Sequence, residues 1–261
     1  MRNAQFRPIL VLMMIAVIAA CKKSSKDSTE ATVTNPVIVT TVGAGVPDVY
    51  KKIYGASSIT SDGTYLTIKT NGLPDHKSAY YATNNTLYEN FVGVTFGGYT
   101  FNKNPNSMAS QNYTFKIPLN PTVAATHAST PMGPIGVAIN GVPLYNQYAG
   151  GGAALSGEIV SFDQGYGHPD PGSHYHYHVE PIKLTATKGS EALMGFLLDG
   201  FPVYGPKENG ATVPTASLDA YHGHTSATAD FPGGIYHYHF STDAPYLNGS
   251  GFYGTSGTVS Y

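Results

Sequence analysis

The chain has a single cysteine, Cys21, among 261 residues. It therefore has no intramolecular disulfide, no paired-thiol redox centre and no multi-thiolate metal site. Arginine is nearly as scarce, since Arg2 and Arg7 are the only two. Past residue 20, 12 lysines (14 basic residues less those two arginines) stand against 16 acidic residues, a balance of −4. A surface without guanidinium groups and with a mild negative charge lacks the donors that grip nucleic acid or phosphate, so nucleic acid is excluded as a partner. Long apolar runs are also missing, apart from the thirteen residues "PILVLMMIAVIAA" ending at Ala20. That run is short for a membrane span, and with the two arginines before it residues 1–20 read as a secretory signal.

The tetrapeptide "IAAC" closing this segment resembles the lipobox of bacterial lipoproteins. The resemblance implies that Cys21 is lipidated and becomes the new amino terminus, on an exported protein anchored to the outer membrane. Residues 21–36 are the lipidated cysteine and a polar stretch without apolar period, a flexible tether. Beyond the tether the chain is rich in glycine, proline and tyrosine, with 30, 18 and 20 residues in the whole sequence. "TYLTIKTNG" (64–72), "NYTFKIPL" (112–119) and "IGVAINGVPLY" (135–145) alternate as strands and end on turn residues. The expectation is a mainly β fold: one β-rich domain built from two related halves, with few short helices. Helix candidates are 46–55, 122–129 and a piece near 189–196. Residues 37–90 read as an N-terminal β extension covering a sheet edge, and residues 91–261 as the main domain.

The two halves come from an internal repeat, spanning 133–181 and 192–246. "IGVAINGVPLY" matches "MGFLLDGFPVY" (194–204) at an offset of 59. "SFDQGYGH" (161–168) matches "SLDAYHGH" (217–224) at 56, and "YHYH" at 175–178 returns at 236–239. Three blocks in one order point to duplication. Both copies keep one Asp, one lone His and a His-Tyr-His: Asp163, His168, His176 and His178, then Asp219, His224, His237 and His239.

On a strand, alternate side chains share a face, so the histidines line one side and the tyrosines the other. Two imidazoles two residues apart, with a third from the loop before the strand, make the three-nitrogen face that copper or zinc takes. The Asp before the loop histidine is placed to fix its tautomer from the second coordination shell. With no free thiol and only Met108, Met132 and Met194 after the signal, a copper(I) relay is disfavoured. His174, which aligns with Ile235, is an accessory ligand at most; His76, His127 and His222 fall outside the shared pattern. Two arrangements fit: the "YHYH" strands adjacent, each giving half of one histidine cage about a pseudo-two-fold axis, or two separate three-histidine sites.

"IGVAINGVPLYN", "HYHYH", "LLDGFPVYGP" and "LDAYHGHTSATADFPGGIYHYH" together resemble the bacterial YHYH domain proteins, over roughly residues 90–261. In that family the run before the second tetrapeptide often looks like Cys-Asn-Gly-His, whereas Tyr221, His222, Gly223 and His224 stand here. The resemblance implies a domain type and an exported location. The function expected from the residues is binding of copper or zinc by the duplicated histidines. Two alternatives stand beside it. One is a metal-dependent hydrolase or oxidase with Asp199 or Asp219 as base, Glu158 and Glu180 being set aside because neither has a counterpart in the other copy. The other is a glycan- or protein-binding module with structural histidines.

Overall fold

The computed structural model describes Met1 and residues 32–35, 37–249 and 251–261. Cys21 and most of the tether lie outside the described residues. Residues 32–261 form one compact unit. In chain order come β1 (Thr41–Val42), β2 (Ala56–Ser61), β3 (Tyr65–Thr70), β4 (Tyr113–Pro118), β5 (Pro134–Ala138), β6 (Pro143–Tyr145) and a small hairpin of β7 (Tyr148–Ala149) and β8 (Ala153–Ala154). After these come α1 (Ser156–Ile159), β9 (Gly167–Pro169), β10 (Tyr175–Tyr177), α2 (Ile182–Lys188), β11 (Leu193–Leu197) and β12 (Pro202–Tyr204). A second small hairpin of β13 (Lys207–Glu208) and β14 (Ala211–Thr212) precedes β15 (Gly223–Ser226), β16 (Ile235–His239) and β17 (Thr258–Ser260). The fold is mainly β, as the composition led one to expect.

Helix propensity misleads at all three candidate segments. Asp48–Lys52 winds only into a short 3-10 turn, residues 122–129 carry no helix, and 189–196 runs into strand β11. Every residue of β11 is buried at the centre of a sheet, and that burial overrides the helix-forming "EALM". The α2 turn lies instead just before it, between Pro181 and Gly189.

Two large sheets share one apolar core. The five-stranded sheet has the order β1-β2-β3-β4-β17, and the eight-stranded sheet β15-β16-β12-β11-β5-β6-β10-β9. β3 pairs directly with β4 of the later region, so the first sheet runs across residue 90. Ile59, Ile68 and Phe115 of the first sheet and Val137, Phe196 and Val203 of the second belong to the same core. Tyr50 and Phe196 meet at 4.6 Å between ring centroids.

The order of the eight-stranded sheet reads alike from both ends. The hairpins β5–β6 and β11–β12 abut antiparallel at the centre through β5 and β11. Beyond them β10 pairs parallel with β6 and β16 parallel with β12, and the outermost strands β9 and β15 pair antiparallel with these. The turns are alike too: Gly141 and Gly200 both sit at φ +84°, a conformation that glycine adopts without steric cost.

This order removes the shared cage. Four strands separate β10 from β16, about 24 Å at the usual strand spacing of ~4.8 Å. The two glycine-turn hairpins pair with each other through β5 and β11 at the middle of the sheet, which leaves the histidine strands towards the two edges.

Candidate metal centres

Each histidine triad is a cross-strand arrangement. His168 lies on β9 rather than in a loop and faces His176 in register, just as His224 on β15 faces His237 on β16. Residues directly opposite on an antiparallel pair share a face, and the next residue but one along the strand shares it as well. His168, His176 and His178 therefore converge, as do His224, His237 and His239; within each set one ring nitrogen per residue lies within 4.8 Å of the others. The intervening tyrosines point the other way. Tyr175, Tyr177, Tyr236 and Tyr238 are buried in the shared core.

Carbonyl groups decide the tautomers of the first triad. His176 Nδ1 is 2.8 Å from the His174 carbonyl and His178 Nδ1 is 2.6 Å from that of Asn146. Because a carbonyl only accepts, both Nδ1 atoms carry the proton and donate it. The Ser161 hydroxyl donates to the Glu158 carbonyl at 2.7 Å, which leaves its oxygen to accept from His168 Nδ1 at 2.7 Å. All three Nε2 atoms are then bare. His176 and His178 bring theirs to 2.9 Å from each other, and His168 Nε2 is buried without a hydrogen-bond partner among the described residues. Converging lone pairs repel unless a cation lies among them, and such a set fits a metal ion.

Burial keeps these rings neutral. Desolvation pushes His176 and His178 down to about 3 and His168 well below the ordinary histidine value. The rings are also fixed by packing, with Tyr145 stacked on His176 at 3.8 Å and Phe162 parallel to His178 at 6.0 Å.

The second triad repeats the scheme. His237 Nδ1 meets the Ile235 carbonyl at 3.0 Å and His239 Nδ1 the Gly205 carbonyl at 2.7 Å. Gly205 follows Tyr204 as Asn146 follows Tyr145, so equivalent repeat positions orient equivalent rings. His224 Nε2 is 3.1 Å from His237 Nε2 and 3.2 Å from His239 Nε2. Burial lowers His239 to about 4 and lowers His237 too.

A glutamate stands beside each triad, and the lack of matching positions in the repeat wrongly argued against one of them. Glu158 on α1 places Oε2 at 3.5 Å from His168 Nε2 and 3.9 Å from His178 Nε2. Glu208 on β13 places Oε2 at 3.4 Å from His224 Nε2 and Oε1 at 3.8 Å from His237 Nε2. Each segment linking the glycine-turn hairpin to its lone histidine, 146–167 and 205–223, contains one glutamate and no other. That signal was there to be read in place of strict alignment.

The aspartates do not serve the histidines. Asp163 accepts from Tyr175 Oη at 2.9 Å, from the Ser78 hydroxyl and from Gly165 N at 2.7 Å; Asp219 accepts from Tyr236 Oη at 2.9 Å and Tyr221 N at 2.9 Å. They brace the tyrosine face, because the turn carrying each Asp closes beneath the first tyrosine of its "YHYH" strand. Asp199 does likewise for Tyr238 at 2.5 Å, as Asn140 does for Tyr177 at 3.2 Å. Neither Asp199 nor Asp219 is placed as a base beside a triad. His174 pairs with Asp170 at 2.9 Å, away from the first set; His76 contacts Tyr177, His127 stacks on Tyr221 and His222 contacts Ser241. Glu180, also set aside on sequence, belongs to neither group.

Both triads open to clefts. The first lies under a cleft of about 740 Å³ that also includes Asn104, Asn106, Tyr148 and Asp170, and the second borders one of about 450 Å³ with Lys207 and Thr228. Residues 114–214 match the family model described as "YHYH protein", a stretch that contains the whole first triad, Glu158 and Glu208 and ends before His224. No curated protein and no solved structure matched.

Proposed function

We propose that this chain, a member of the YHYH protein family, binds two transition-metal ions, copper or zinc, one in each three-histidine site. The observation that carries this reading is the set of three bare, buried Nε2 atoms of His168, His176 and His178. Neutral imidazoles suit both metals, and metal binding needs no proton expelled from rings already held neutral. The signal-like segment and "IAAC" support a protein exported and held at the outer membrane through lipid on Cys21. The binding-module reading loses most of its support, since Tyr175, Tyr177 and Tyr238 are fully buried in the core and only the edge of Tyr236 reaches a groove.

Thermal unfolding tests this. An ion at a thousand times its dissociation constant stabilises the folded state by about 4 kcal/mol per site, a rise of roughly 10 °C for a domain of this size. Zinc or copper(II) added to chelator-treated protein is expected to give such a rise in the wild type, a smaller one in either His176→Ala/His178→Ala or His237→Ala/His239→Ala, and none when both pairs are replaced. An unchanged melting temperature in the wild type would sink the reading.

A further inference from the structure

The two centres differ in one respect that bears on chemistry. Glu208 brings a carboxylate oxygen within 4.8 Å of all three imidazole nitrogens of its site, whereas the first site groups the three histidines alone. Glu208 is also held in place, since the Ser226 hydroxyl donates to its Oε1. Glu158 is anchored differently: its Oε1 accepts from Gly150 N at 3.0 Å, and its Oε2 stands to one side, near His168 and His178. The first triad also opens to the larger cleft, with all three of its rings on the cleft wall. In metalloproteins a full set of four protein ligands marks a closed, structural or storage site, and three ligands with a free position mark a reactive one.

Resting on the metal-binding reading, we infer that the second site is closed by four protein ligands, His224, His237, His239 and Glu208, while the first keeps a free position for an exogenous ligand. That ligand is water or a small anion, reaching His168, His176 and His178 through the 740 Å³ cleft. Glu158 Oε2, 3.5 Å from His168 Nε2, stands beside the free position as hydrogen-bond acceptor for a protic ligand.

Cobalt(II) is a suitable probe because its visible spectrum reports coordination number. The full-length protein carrying His237→Ala/His239→Ala retains only the first site, and the one carrying His176→Ala/His178→Ala only the second. Azide is expected to change the cobalt spectrum of the first variant and to leave that of the second unchanged. Glu208→Gln, made in the second background, is expected to weaken cobalt binding by about 10-fold or more; Glu158→Gln in the first background should leave it within about twofold. Cobalt bound by both variants, with azide acting equally on both or only on the second, overturns this assignment and leaves metal binding standing. Failure of one variant to take up cobalt, with folding verified by circular dichroism, overturns the two-site reading and this assignment with it; failure of both overturns metal binding itself.

Discussion

Metal-free protein is expected to unfold cooperatively when acidified from pH 6.5 to about 4. Six histidines are held neutral by burial: His176 and His178 fall to about 3, His222 and His239 to about 4, and His168 and His237 are lowered as well. A histidine whose folded value is depressed contributes stability that is complete above its unfolded value of 6.5 and is lost as pH falls towards the folded value, because the unfolded chain takes the proton first. Three carboxyls, Asp163 and Asp199 buried and Glu180 partly so, act in the opposite sense. Burial raises Asp199 to about 6 and raises Asp163 and Glu180, so their contribution is present at low pH and is lost as pH rises. The depressed histidines outnumber the raised carboxyls, so the unfolded chain takes up more protons than the folded one as pH falls through this window, and stability falls with it. Near-ultraviolet circular dichroism against pH measures this directly, and loading with zinc should move the midpoint lower by holding the rings neutral. A metal-free protein that stays folded to pH 3 would show that the imidazoles are not kept neutral by the fold.

Asp163→Ala is expected to destabilise the protein by about 4 kcal/mol, and the equivalent Asp219→Ala by about 1 kcal/mol. The two aspartates make similar hydrogen bonds to the first tyrosine of their strands. They differ in solvent: Asp163 is fully buried, so its removal strands the Tyr175 and Ser78 hydroxyls and the Gly165 amide away from water. Asp219 is exposed, and water replaces it. Each stranded buried donor costs about 1–3 kcal/mol, which sets the larger figure. Urea unfolding of both variants distinguishes the two cases. Equal losses would contradict the assignment of Asp163 as the buried brace of the tyrosine face.

The parts of this protein legible from residues alone are those that depend on local periodicity. Strict alternation identifies β3 and β4, the glycine turns identify β5–β6 and β11–β12, and the matched histidines define both triads. The features that escape depend on where strands sit in a sheet. Spacing in "YHYH" says which side chains share a face; it says nothing about the four strands between β10 and β16. The aspartates go to the wrong face on sequence for a related reason: Asp163 lies five residues before His168 and twelve before Tyr175, and only the closed hairpin brings its carboxylate to the tyrosine. The glutamates are missed because Glu158 and Glu208 enter from connections of different length, Glu158 thirteen residues after Tyr145 and Glu208 four after Tyr204. Equivalent chemistry at inequivalent positions is invisible to alignment of the copies.

Metal content per chain tests the central claim most directly, by elemental analysis of protein prepared without a histidine tag and reconstituted with zinc or copper. Two ions per wild-type chain, one in each of His176→Ala/His178→Ala and His237→Ala/His239→Ala, and none with all four replaced is the predicted result. A single ion in the wild type, lost from both double variants, would contradict two separate sites, and no tightly held ion at all would contradict metal binding itself.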